Sequence, residues 1–290
     1  MEVAMAEITQ VQVNVIPPTP TPSPPSEPEK PPFPEWWPKP DGEGETNIRK
    51  ILSFPDWFKE QSFHDPKLPE YYKKYWRFTE QIILLRIRKL ESFMNSAGSR
   101  YYDATFDKYS IEHKGQSEAV DACREYIKHF KEYNRTGSGL ILFGPSGTGK
   151  DHLGVATIVS LILDYCISGR RISGAAIFKE VRSSMHGWQG DSEDKIISDL
   201  IWPDILLLSD PVALCGSLTD FQASVLYSII DQRYNDCSPT IVTMNVASGL
   251  EADTRLGSPI LDRLRDGAIT IKCDWPSYRK VAGQVGRESQ

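Results

Sequence analysis

Residues 139–151 read GLILFGPSGTGKD, and the rest of the chain takes its place around them. Gly139–Phe143 is a short apolar run without a helical period, which predicts a buried strand. The next seven residues, Gly144, Pro145, Ser146, Gly147, Thr148, Gly149 and Lys150, have the G-x-x-x-x-G-K spacing of a phosphate-binding loop. Glycines allow a turn tight enough to aim successive backbone N–H groups at phosphate oxygens. A helix is expected over Lys150–Tyr165, with Leu153, Ile158, Leu161, Ile162 and Tyr165 on its apolar side. Its N-terminus adds partial positive charge. A strand before the loop and a helix after it are the setting this motif needs. Lys150 is then placed to reach the β- and γ-phosphates of a nucleoside triphosphate, most simply ATP.

Outward from the loop the pattern alternates. Strands are expected at Ala175–Phe178, Asp204–Leu208, Thr240–Asn245 and Ala268–Lys272, and helices at Asp220–Tyr234 and Pro259–Leu264. Thr219 and Gln222 have the spacing of a capping box. Apolar strands separated by helices predict an α/β fold, with a five-stranded parallel sheet covered on both faces.

Two positions depart from the usual chemistry of such a loop. The residue after the lysine, normally a hydroxyl that ligates Mg²⁺, is Asp151. The acidic pair expected at the end of Asp204–Leu208 reads Ser209–Asp210. One reading is exchange: Asp151 carries the metal-side charge, Ser209 the hydroxyl, and Asp210 orients the attacking water. The other is decay, leaving a nucleotide binder with little hydrolysis. A helix-start aspartate pointing away from the metal is a third use of Asp151. Asn245, at the end of the fourth strand, can hold the attacking water or simply form a turn.

The N-terminal third is different. Residues 16–45 read IPPTPTPSPPSEPEKPPFPEWWPKPDGEGE, which predicts an extended or disordered head over residues 1–47. It serves as a linker or, through its PxxP spacing and Trp36–Trp37, as a docking peptide. Residues 48–98 form a helical section. In Leu68–Met94 the residues Tyr72, Trp76, Ile83, Ile87, Leu90 and Met94 recur at helical spacing among Lys73, Lys74, Arg77, Arg86, Arg88 and Lys89. That helix packs on the main domain, binds a partner protein or touches DNA. The ATP-binding domain follows over residues 99–290.

The bulk numbers exclude several classes. A net charge of −6 and a pI near 5.5 exclude a uniformly basic nucleic-acid binder, though not a local basic patch. No apolar run has the length of a membrane span, and residues 1–15 lack a secretory pattern. Five cysteines without a C-x-x-C pair argue against a zinc site and suit a reducing cytoplasm.

The segments GPSGTGKDHL, LYSIIDQRYNDCSPTIVTMN and ILDRLRDGAITIKCDWPSYR together resemble the DnaC/IstB-like branch of the AAA+ ATPases, from about Phe106 to Lys280. The resemblance implies ATP and Mg²⁺ as cofactors. It makes Asn245 the first sensor and Arg263 an arginine finger reaching a neighbouring subunit. Arg279, expected in a short terminal helix, becomes the second sensor. It also implies a reduced C-terminal lid, self-association through Arg263, and single-stranded DNA with either a replicative helicase or a transposase as partners. The helicase-loader role, the transposition-helper role and a third, a nucleotide-sensing adaptor, all stay open at this level. Arg170 and Arg171 are candidates for DNA contact or for a solvated loop.

Overall fold

The structure, a computed structural model, describes residues 48–52, 70–185, 192–213 and 216–279, with only the backbone described at Lys50 and over residues 70–80. The Pro-rich head and Trp36–Trp37 lie outside these residues, as do the side chains of Tyr72 and Trp76.

Five strands build the sheet: β1 (Leu140–Phe143), β2 (Gly169–Ser173), β3 (Ile205–Ser209), β4 (Thr240–Met244) and β5 (Ile269–Lys272). They are all parallel, in the order β2-β3-β4-β1-β5. Side chains alternate across each strand. Leu140, Leu142, Ile205, Leu207 and Ile241 enter one buried cluster, while Ile141, Leu206, Leu208 and Val242 enter another on the opposite face. Sheet faces buried on both sides explain why these strands read as unbroken apolar runs.

Ten α-helices lie among the described residues: α1 (Ile48–Leu52), α2 (Glu70–Ala97), α3 (Lys114–Lys128), α4 (Phe130–Thr136), α5 (Lys150–Tyr165), α6 (Gly174–Met185), α7 (Glu193–Ile201), α8 (Asp220–Asn235), α9 (Gly249–Leu256) and α10 (Ser258–Arg265), with two 3₁₀ turns at Ser99–Tyr101 and Phe106–Lys108. The capping box at the start of α8 forms as expected, Thr219 accepting from the Gln222 N–H and Gln222 from the Thr219 N–H.

The long helix α2 is part of the core. Ile83, Ile87, Leu90, Phe93 and Met94 are buried in the cluster that also holds Leu153 and Ile158 of α5. Two of its cations are taken up internally. Lys89 donates to the Cys166 carbonyl at 2.5 Å and Arg86 to the Asp164 carbonyl at 3.4 Å, both at the C-terminal end of α5, where cations are favoured.

Two expectations are corrected. The second strand is Gly169–Ser173, not Ala175–Phe178, which belongs to α6. A four-residue apolar run fits a buried helix turn as well as a strand. The true strand lies at the sheet edge, where only Ile172 is fully buried, so its two arginines disguise it. The second correction concerns Arg279. It lies in irregular chain after β5 rather than in a helix.

Among the described residues no helix is long and apolar enough to cross a membrane. No three or more of their His, Cys, Asp and Glu side chains gather into a group that could hold a metal ion. Cys123, Cys166, Cys237 and Cys273 are free thiols.

Candidate nucleotide site

In a doubly wound sheet the ligand crevice lies beyond the carboxyl ends of the strands. Here β4 sits between β1 and β3, so the chain places the phosphate loop, Asn245 and Ser209–Asp210 side by side at that end. A cleft of about 630 Å³ opens there, lined by Lys150, Asp151, Asp210, Thr243, Asn245 and Arg279 among others.

The loop's shape requires its glycines. Gly144 has φ 143° and packs on the chain after β5; a Cβ there would come within 2.1 Å of the Cys273 carbonyl oxygen. Gly149, at φ 87°, would drive a Cβ to 2.6 Å from the Tyr109 ring. Aromatic donors fix the loop from outside. The Thr148 carbonyl accepts from Tyr109 Oη at 3.0 Å and from Trp275 Nε1 at 2.8 Å. The Tyr278 N–H donates to the Gly147 carbonyl at 2.9 Å. Lys150 is buried, its ammonium donating to the carbonyls of Gly144 at 2.8 Å and Pro145 at 2.5 Å. Burial pushes its pKa down, against the pull of Cys273, Asp151 and Asp210. Such a lysine on the wall of a glycine cradle fits a triphosphate.

Beside Lys150, the groups that Asp151 bonds are residues other than Ser209. Asp151 Oδ1 accepts from Thr243 Oγ1 at 2.6 Å. Its Oδ2 accepts from Arg171 Nη2 at 2.7 Å and Tyr101 Oη at 3.0 Å. Burial raises the Asp151 pKa, but the hydrogen bonds from Thr243 and Arg171, the Arg171 charge and the Tyr101 hydroxyl outweigh it and hold the carboxyl below the usual range. The hydroxyl beside Asp151 is therefore that of Thr243, and its countercharge is Arg171. Ser209 Oγ is buried without a hydrogen-bond partner. Asp210, at φ 46°, is held by Asn245, whose N–H and Nδ2 donate to its two carboxylate oxygens at 3.0 and 2.7 Å. A non-glycine residue in that region is uncommon and belongs with tightly determined sites. An orphaned buried hydroxyl next to a carboxylate fits a hard cation such as Mg²⁺; Asp151 differs from Asp210 in that it already carries a countercharge, the Arg171 guanidinium.

A sequence model of the IstB-like ATP binding protein family matches residues 80–284. The chain belongs to this family. Two curated relatives share its reach. The replicative helicase loader DnaC of Buchnera aphidicola subsp. Baizongia pistaciae is 26% identical over 235 residues, spanning 78% of this chain and 91% of the relative. The DnaC of Escherichia coli K12 is 28% identical over 209 residues, spanning 69% and 80%. An insertion-sequence IS21 ATP-binding protein of Pseudomonas aeruginosa is 26% identical over 144 residues, 48% of this chain and 52% of its own. In fold the chain is similar to the crystal structure of the DnaC helicase loader, with TM-score 0.55, 24% identity and coverage of 61% of this chain and 100% of that one.

Within this ATP-binding family fold, the remaining expected residues separate. Pro145 and Ser146 are exposed on the loop. Arg279 lines the cleft. Arg263 does not. It is held on its own subunit by Asp231 at 2.7 Å and Tyr227 Oη at 2.7 Å, with its guanidinium 4.7 Å above the Tyr227 ring. Arg170 and Arg171 are not in a solvated loop. Arg170 lies 3.6 Å from Asp199, and Arg171 is spent on Asp151. Sequence reading missed Tyr101, Tyr109, Thr243, Trp275 and Tyr278. Only Thr243, Trp275 and Tyr278 stood inside quoted motifs, and nothing in the spacing marked their contacts. Arg255 was missed as well; it donates to the Asn245 carbonyl at 2.9 Å and supports that turn.

Proposed function

We propose that this protein is an ATP-switched loader of a replicative helicase, assembling on the helicase and single-stranded DNA with ATP bound and resetting on hydrolysis. The observation that carries the reading is the joint one: a complete phosphate loop beside the Asp210–Asn245 pair, in a chain that matches helicase loaders over 80–91% of their length.

In this reading Lys150 exchanges the loop carbonyls for β- and γ-phosphate oxygens. Ser209 and Asp210 would hold Mg²⁺, whose charge would offset that of the phosphates. Asp210 takes the proton of an attacking water that Asn245 helps orient. Arg279 contacts the nucleotide in its own subunit. Arg263 acts on a neighbour: it lies outside its own cleft and sits with Tyr227 and Tyr234, both partly exposed, on α8 and α10. An arginine supplied from the next subunit links hydrolysis to assembly. The α2 section carries the partner contact through its outer face.

The test is transfer of the host's replicative helicase onto single-stranded DNA circles, with ATP and with Lys150→Ala as control. The reading expects ATP-dependent transfer that the variant loses. Transfer independent of this protein contradicts it. The IS21 relative supports a second reading, a transposition helper. Its coverage is narrower, and stimulation of a co-encoded transposase without any helicase transfer favours it instead.

A further inference from the structure

The residue after the phosphate-loop lysine is an aspartate, and a free carboxylate there repels the triphosphate. The structure places a cation on it. Arg171 Nη2 meets Asp151 Oδ2 at 2.7 Å, and the two side chains are only 15% and 29% exposed. Arg171 is itself held in place by residues remote from the loop. Its N–H donates to Ser96 Oγ at 3.0 Å, its Nη2 also donates to Tyr101 Oη at 3.2 Å, and its guanidinium stacks 4.5 Å from the Tyr101 ring. Thr243 occupies the other carboxylate oxygen. At the cleft wall the carboxylate is thus paired with a cation and hydrogen-bonded by groups from β2, β4 and the turn after α2.

We propose that Arg171 is a nucleotide-positioning residue: it neutralises Asp151 and keeps that carboxylate off the triphosphate, so that the loop accepts ATP without Asp151 serving as a metal ligand. Neutrality at this position is normally achieved with an uncharged hydroxyl side chain; here an ion pair achieves it. The cation that compensates Asp151 is Arg171, and Ser209 stays free for its own role. The proposal rests on the nucleotide reading of the cleft and is independent of which machine the protein loads.

The test is equilibrium binding of a fluorescent ATP analogue to the full chain, in EDTA and in Mg²⁺. The proteins are wild type, Arg171→Met, Asp151→Thr, the double variant and Lys150→Ala. Arg171→Met exposes an unpaired carboxylate beside the phosphates, so affinity in EDTA falls roughly tenfold or more. Removing that carboxylate as well, in the double variant, returns affinity to within about threefold of wild type, the non-additivity expected of a coupled pair. A double variant as weak as Arg171→Met, or an unchanged Arg171→Met, overturns the proposal. Should Arg171→Met fail to fold by circular dichroism, Asp151→Asn decides. The proposal expects its affinity in Mg²⁺ to equal or exceed wild type. A loss of about tenfold or more confined to Mg²⁺ makes Asp151 a metal ligand and overturns it. Wild type binding no better than Lys150→Ala removes the nucleotide reading itself, which the other comparisons leave intact.

Discussion

The phosphate loop and the flank beside it meet at one peptide bond, between Lys150 and Asp151, yet different forces hold them. The loop is a backbone object. Its glycines take up positive φ, and Tyr109, Trp275 and the Tyr278 N–H grip its carbonyls. The flank is a side-chain object. Asp151 is held by Thr243, Arg171 and Tyr101, which come from three separate parts of the chain. Backbone geometry answers to steric changes and is indifferent to titration, while an ion pair answers to charge and pH. The lesson is that a phosphate loop can keep its backbone cradle while the side chains beside it follow a different chemistry.

Four substitutions sharpen or break this contrast, in falling order of effect. Lys150→Ala removes the loop's only charge-bearing donor to the phosphates and is expected to cost roughly 10²-fold or more in ATP affinity, read by titration. Retained binding would mean that the backbone cradle alone suffices. Gly149→Ala strains a left-handed position and pushes a methyl at the Tyr109 ring; a loss of about 2 kcal/mol or more in unfolding free energy is expected by denaturant melts. Trp275→Phe leaves the buried Thr148 carbonyl with one donor instead of two, for about 1 kcal/mol by the same measurement. The smallest effect belongs to the flank. The Asp151 pKa is lowered in the folded state, so its stabilisation is whole above the ordinary carboxylate range and is lost as pH falls through the lowered value. Melting temperature followed downward from about pH 5 should therefore fall less steeply in Asp151→Asn than in wild type. Parallel curves would show that Asp151 is no stronger an acid than an exposed aspartate.

The same contrast decides what the sequence made legible. The loop is local: seven consecutive residues between a strand and a helix carry it, so Gly144–Lys150 could be placed without any tertiary knowledge. Asn245 and Asp210 were legible for a related reason, since each ends an apolar strand and parallel strands end together. Their mutual hydrogen bonds follow from that register. The flank was not legible. Thr243 and Asp151 lie 92 positions apart and Tyr101 and Asp151 lie 50 apart, and their contact depends on strand register and on where the chain turns after α2. Arg171 was hidden twice over, because Gly169–Ser173 is too polar to read as a strand and Ala175–Phe178 is apolar enough to mimic one. The inward face of α2 was clear from period alone through Ile83, Ile87, Leu90 and Met94. That Arg86 and Lys89 cap α5 was not, because nothing in the spacing says where another helix ends.

In the proposed reading, Arg263 of a neighbouring subunit completes the ATP site. Turnover of ATP with Mg²⁺ and single-stranded DNA should be measured for Lys150→Ala, for Arg263→Ala and for their equimolar mixture. Each variant alone is expected to fall roughly 10³-fold. In the mixture, an intact Lys150 on one subunit can face an intact Arg263 on the next, and turnover should recover to a substantial fraction of wild type. A mixture as inactive as either variant by itself would contradict a shared site.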